Sequence, residues 1–216
     1  MHKALVVKEL RESAILVTLA VLASADALAD LTATPIVPWQ SLRVYMYPFV
    51  HDELSFYFWL VGGGFAIALG LRQTAFELAF GTYYFLIHRP VDRSRIFAYK
   101  LVIGTALVMP LSAAMVLFYA LWAATPGHIP APFFWSMTAP AWTAWVALPP
   151  LYFGAFLSGI RPGKWFGTRL VPLLAAMLVS MVAANMPWFW LAAVMSLTAS
   201  VLLIVDVFFY VQHRDY

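Results

Sequence analysis

Six apolar stretches of about 20 residues each dominate this chain, and about 20 apolar residues are what a helix needs to cross the hydrocarbon of a bilayer. They lie at Ser13–Leu31, Leu54–Leu71, Leu101–Ala123, Thr138–Ser158, Leu170–Ala184 and Trp188–Val211, the fifth being the shortest. Only 11% of the 216 residues are charged and 63% are hydrophobic, whereas a soluble domain carries about a quarter charged residues. The spacing therefore predicts an all-α, polytopic membrane helix bundle of six transmembrane helices, forming one domain over residues 1–216. No internal repeat or low-complexity linker divides it.

Orientation follows from the basic residues. With the N-terminus inside, Lys3, Lys8, Arg11, Arg72, Arg89, Arg93, Arg95, Lys100, Arg161, Lys164, Arg169 and Arg214 are all cytosolic, 12 of the 13 Lys and Arg, leaving Arg43 outside. Basic residues collect on the cytosolic side of spans, so both termini are expected there, in a multi-pass protein of the inner (cytoplasmic) membrane. Eight of the nine tryptophans fall in the outer half or outer loops, with Trp165 the exception. This is the pattern of an aromatic belt at one interface.

The most charged part of the chain beyond the N-terminus runs from Gln73 to Lys100, between the second and third spans. At helical spacing Gln73, Glu77, Gly81, Tyr84 and His88 form a polar stripe beside Phe76, Phe80, Tyr83 and Ile87. That pattern predicts an amphipathic helix continuing out of span 2 along the lipid surface, with Glu77 turned to the cytosol or to a protein partner. Arg89-Pro90 ends it, because a residue before proline avoids the α region. Asp92 is then placed to cap a new helix starting at Arg93. Residues 1–12 read as an interfacial helix with Leu5, Val6 and Leu10 on one side and Lys8, Arg11 and Glu12 towards water.

Glu77, Gly81-Thr82, an apolar run to His88, Arg89-Pro90-Val91-Asp92-Arg93 and Lys100 resemble the cytosolic loop between spans 2 and 3 of type 2 ATP-binding-cassette (ABC) transporter permeases. Lys8-Glu9-Leu10-Arg11 resembles the family's N-terminal interfacial helix. The resemblance covers these two motifs and the six-span layout. It implies a cytosolic coupling helix that rests on an ATPase subunit, with Glu77, Gly81, Thr82, His88, Arg89, Pro90 and Arg93 at the contact. It further implies a permease subunit of an exporter, as most members are. Its partners would be two copies of an ABC ATPase and a second permease chain, in a homo- or heterodimer. The chain carries no phosphate-binding loop, since Ser158 and Trp165 stand where Gly-x4-Gly-Lys-[Ser/Thr] needs Gly and Ser or Thr. ATP and Mg are accordingly expected in the partner, with no cofactor in this chain. A non-transporting accessory subunit that anchors a larger membrane complex is the alternative.

Other residues narrow the chemistry. There is no cysteine, which excludes disulfides and thiolate metal sites. No histidine falls mid-span, and no catalytic elbow, metal-ligand spacing or nucleic-acid surface is present, so an enzyme is not expected. Asp26 and Asp30 suit either a cation or proton site or, preferred here, the outer water interface. Asp206 is the one acid clearly inside a span, either a functional carboxylate or the partner of a basic residue such as Lys100 or Arg214. Gly62, Ala66 and Gly70 at four-residue spacing allow a close helix contact, within the protomer or across a dimer. The outer segment from Thr32 to Glu53, rich in proline and aromatics, is either a lid or an interfacial anchor. The aromatic, uncharged spans lean towards an amphipathic or apolar substrate.

Overall fold

The computed structural model describes residues 2–32, 48–49, 53–79, 92–128, 132–164 and 167–213. Among them every regular element is helical. Five helical segments are long and apolar enough to cross a membrane: Leu5–Leu31, Leu54–Phe76, Arg93–Ala124, Trp135–Ile160 and Phe189–His213. A shorter apolar helical stretch, Thr168–Ala184, falls on the short fifth apolar segment, and the segments keep their sequence numbers as spans 1 to 6. The expected interfacial helix is not a separate element: α1 runs unbroken over His2–Leu31, because no proline or glycine interrupts residues 2–31. The 80–91 stretch, with Gly81, Thr82, His88, Arg89 and Pro90, lies outside the described residues, as does most of the outer segment 33–52.

The second span is helical throughout but not uniformly α. It comprises α2 (Glu53–Phe58), a π turn at Trp59–Gly63, α3 (Gly64–Leu71) and a second π turn at Arg72–Phe76, and the helix continues just beyond the span as α4 (Glu77–Ala79). The first π turn carries two of the three successive glycines, the residues least able to hold a regular ladder. Wide turns of this kind rotate the residues that follow. Gln73, Thr74 and Ala75 within the second, and Glu77 just after it, are all buried.

Helix α5 (Arg93–Ala124) starts as its sequence requires. Asp92 is extended, with ψ 127°, and its carboxylate accepts the Ser94 N–H at 3.1 Å. The fourth span is the centre of the bundle. It is broken into α6 (Ala139–Val146) and α7 (Leu148–Ile160) by the Pro149-Pro150 pair. Pro150 has no N–H for the Val146 carbonyl, and the Ser196 hydroxyl donates to that carbonyl instead at 2.5 Å. The Trp145 indole N–H donates to the carbonyl of Met109, just before Pro110 of α5. The carbonyl freed by Pro150 thus finds its partner in a neighbouring helix.

Every residue of α7 except Pro149 is buried, as expected of a helix apolar on all sides. Spans 2, 3, 5 and 6 surround it, the last two being α8 (Val171–Ala184) and α9 (Phe189–His213). The small residues of span 2 serve this packing inside the protomer. A Cβ on Gly70 would lie 2.7 Å from the Tyr152 carbonyl oxygen and 2.9 Å from the Phe156 nitrogen. At the far end of α7 a Cβ on Gly159 would sit 1.8 Å from the Thr74 hydroxyl oxygen and 3.0 Å from the Ala75 nitrogen. Arg161 and Arg169 close the same end. Arg161 precedes Pro162 and ends α7, while Arg169 donates from Nε to the Ser158 carbonyl (3.0 Å) and from Nη2 to the Gly159 carbonyl (2.8 Å). A cation thereby covers the exposed carbonyls of a helix C-terminus. Large apolar side chains of α1, α8 and α9, among them Ile15, Leu178 and Leu197, stay exposed on the outside of the bundle.

Two glycines make opposite forecasts. Gly159→Ala is expected to cost about 1–3 kcal/mol, because the facing backbone must shift. Gly64, where an added methyl group would meet nothing within 4 Å, should tolerate Gly64→Ala and gain up to about 1 kcal/mol of helix propensity. Thermal unfolding of both variants in detergent checks the pair; equal melting temperatures would contradict the packing.

Candidate functional site

The basic ends of the first three spans converge on a buried cluster of charges. Lys100, two turns into α5, is 1% exposed, which is rare for lysine and demands anionic partners. Its Nζ donates to Glu9 Oε1 of α1 at 2.7 Å and to Glu77 Oε1 of α4 at 2.8 Å. Lys8 Nζ donates to the same Glu77 oxygen at 2.8 Å and also lies 3.5 Å from Glu12 Oε1 and 3.7 Å from Glu9 Oε1. Glu9 and Glu77 are buried, while Lys8 and Glu12 are half-buried. Two inner carboxylates thus face two ammonium groups, and the centre is balanced in charge.

A neutral chain extends the cluster into the middle of the bundle. Gln73 Nε2 lies 3.4 Å from Glu9 Oε2 and 3.4 Å from the Lys100 carbonyl. The Tyr152 hydroxyl donates to Gln73 Oε1 at 2.6 Å and sits 3.0 Å from the Lys100 carbonyl. Gly104 makes room for it, since a Cβ there would lie 2.0 Å from the phenol oxygen. Four spans therefore meet in one connected set of polar contacts.

Burial alone pushes the Glu77 carboxyl up, but Lys100, by charge and hydrogen bond, and then Lys8 hold it below its ordinary value of 4.5. The carboxylates of Glu9, Glu12 and Glu77 approach within 4.8 Å of one another, a spacing that suits a hard cation. The two lysine ammoniums already occupy that role in this arrangement.

The positions expected from sequence divide in two. Lys8, Glu9 and Glu77 come together, although Glu9 and Glu77 face inward where a surface helix and a partner contact were expected. Glu77 follows the second π turn, so it meets Lys8 and Lys100 instead of projecting outward. Arg11 and Arg93 are exposed. Asp206 is also exposed, and no ion pair or hydrogen bond joins it to a described residue; the expected bond to Lys100 is absent because Glu9 and Glu77 take that ammonium, and Arg214, the other expected partner, lies outside the described residues. Gln73 stood on the predicted polar stripe, but Tyr152 and Gly104 carried no signal, because a tyrosine and a glycine in apolar spans look like ordinary packing. At the tryptophan-rich end Asp30 accepts a hydrogen bond from the Tyr57 hydroxyl. A cavity of about 160 Å³ is lined by Phe49, Phe58, Trp59, Pro140 and Asn185 among others.

Removing one partner of a buried ion pair typically costs about 3–5 kcal/mol, so Lys100→Met is expected to lose an amount of that order in detergent unfolding. Glu77 titrates at a depressed value in the folded chain, and its contribution is fully present above the unfolded value near 4.5. That contribution is lost as pH falls through the lower folded value. Wild-type melting temperature should therefore fall more steeply than that of Glu77→Gln below about pH 4.5. Parallel curves would contradict the ion pairing.

No protein-family model, curated protein or solved structure matches this chain, so what the site does is argued from its residues and their arrangement.

Proposed function

We propose that the chain is the membrane-spanning permease subunit of an ABC transporter, an exporter driven by a separate ATPase subunit that docks on the 73–100 stretch. The observation that supports this best is the Lys100 cluster. It joins the first helix, the end of span 2 and the start of span 3 on either side of the 80–91 segment, through Glu77 before it and Lys100 two turns into α5 after it. That segment carries Gly81, Thr82, His88, Arg89 and Pro90. A push on it is delivered to three spans at once, and through Gln73 and Tyr152 to the central fourth span.

The chemistry divides accordingly. ATP and Mg belong to the ATPase, whose closure supplies the motion. In this chain Gly81 to Pro90, with the exposed Arg93, provide the contact. Glu77 acts from inside, fixing the contact to the bundle. The spans tilt as a group, and access switches between the two faces of the membrane. The termini and both basic loops are cytosolic in this scheme. Six spans form half of a transport path, and the aromatic, uncharged spans suit an amphipathic or apolar substrate.

The test is purification from the native membrane followed by reconstitution. An ATPase subunit carrying Walker motifs should copurify. Pro90→Ala and Arg93→Glu should each lower substrate-stimulated hydrolysis and transport, by roughly tenfold or more for the charge reversal, at unchanged expression. In intact cells Ser94→Cys should resist an impermeant thiol reagent. Labelling from outside, or wild-type coupling in both variants, would refute the proposal.

A further inference from the structure

We infer that the chain pairs with a second copy of itself through the outward faces of α1 and α9, Arg11 of each copy meeting Asp206 of the other. Asp206 is exposed on α9 among the exposed apolar side chains of Leu202, Val205 and Phe209. It lies seven residues before His213, the last residue of α9, or about 10 Å along the axis at 1.5 Å per residue. A 25-residue helix is about 37 Å long and exceeds the roughly 30 Å hydrocarbon layer by only a few ångströms at each end. The carboxylate is therefore within the apolar zone, on a side chain too short to reach the headgroups as lysine or arginine does. A charge so placed needs a partner, and among the described residues none provides one.

Arg11 is the complement on this chain's own surface. It is exposed on α1, beside exposed Val7, Leu10 and Ile15, and it too pairs with no described residue. The two charges lie at a similar depth from the same end of the bundle. Arg11 is two residues, about 3 Å, deeper than Glu9, which bonds Lys100. Asp206 is four residues, about 6 Å, deeper than Tyr210, whose ring lies under the Arg161 guanidinium at the end of α7. Gly159 of that end packs on Thr74, next to Gln73, and so belongs to the level of the Lys100 cluster. Both α1 and α9 pack against α5. A two-fold pairing makes the same contact twice, Arg11 to Asp206 and Asp206 to Arg11. It leaves neither charge over in either copy, which favours a second copy over an unrelated helix. The inference rests on the pairing of permease chains proposed above and specifies its face.

The absence of cysteine makes the contact accessible to cross-linking. In native membranes the double variant Arg11→Cys/Asp206→Cys should form a disulfide-linked dimer on oxidation, and neither single variant should. Arg11→Asp and Asp206→Arg should each lower the dimeric fraction, read by single-molecule photobleaching, on the order of tenfold, as expected when like charges face each other in a poorly hydrated contact. The double reversal should restore it. Dimers that persist without the cross-link and resist both reversals would overturn this face and leave pairing intact. A chain that remains monomeric when bound to its ATPase would overturn both, and a disulfide formed within one copy would overturn the face.

Discussion

A lysine ammonium shut inside a membrane-facing bundle is the constraint on which the rest of this structure depends. Lys100 is withdrawn from water almost completely, and such a charge is tolerated only with close, hydrogen-bonded anions. Those anions come from residues 91 and 23 positions earlier in the chain. The first helix, the end of span 2 and the start of span 3 must therefore be in fixed relation before the ammonium is satisfied. The π turn at Arg72–Phe76 belongs to the same requirement, since it turns Gln73 and Glu77 together into the bundle.

The central fourth span meets a different demand. Apolar on all sides, it supplies no polar edge to steer its neighbours, so close backbone approach sets its position. Gly70 and Gly159 let helix backbones touch where any side chain would hold them apart. The prolines that break the span at Ala147 free a carbonyl, and Ser196 of the last helix takes it up. In lipid an unmet carbonyl costs far more than in water, so each of these polar side chains adds a directional contact to packing that otherwise has little direction.

How far the sequence foretold this differs by element. The apolar segments marked where five membrane-length helices and one shorter apolar helix lie, because length and hydropathy answer directly to bilayer thickness, but the first and third helices begin eight residues earlier than their apolar segments, at Leu5 and Arg93. Asp92 was legible as a cap, being a local feature of a short polar side chain before a helix. The facing of Glu77 was not. A uniform 100° per residue carries it to the surface, whereas two π turns upstream shift the register, and glycines or a Thr74 hydroxyl bonded to Gly70 do not announce such turns. The unbroken α1 was missed because charges at Lys8, Glu9 and Arg11 resemble a surface helix, and the neutralisation of Glu9 by Lys100 and of Lys8 by Glu77 is a contact distant in sequence. Tyr152 was invisible for the same reason: its hydroxyl has a role only where Gly104 and Gln73 meet it.

A buried ion pair is a poor device for stability alone, since well-packed apolar side chains of similar volume often hold a core as firmly or better. What charges supply is intolerance of misalignment. Sliding one helix past another by a single turn is a displacement of about 5.4 Å. It would exchange bonds of 2.7 and 2.8 Å for an unpaired charge in an apolar surround, whereas an apolar contact would simply repack. Spans joined in this way move together or not at all. In the coupling we propose, that property passes a force on the 80–91 segment to the three helices joined at Lys100, and its loss uncouples the two.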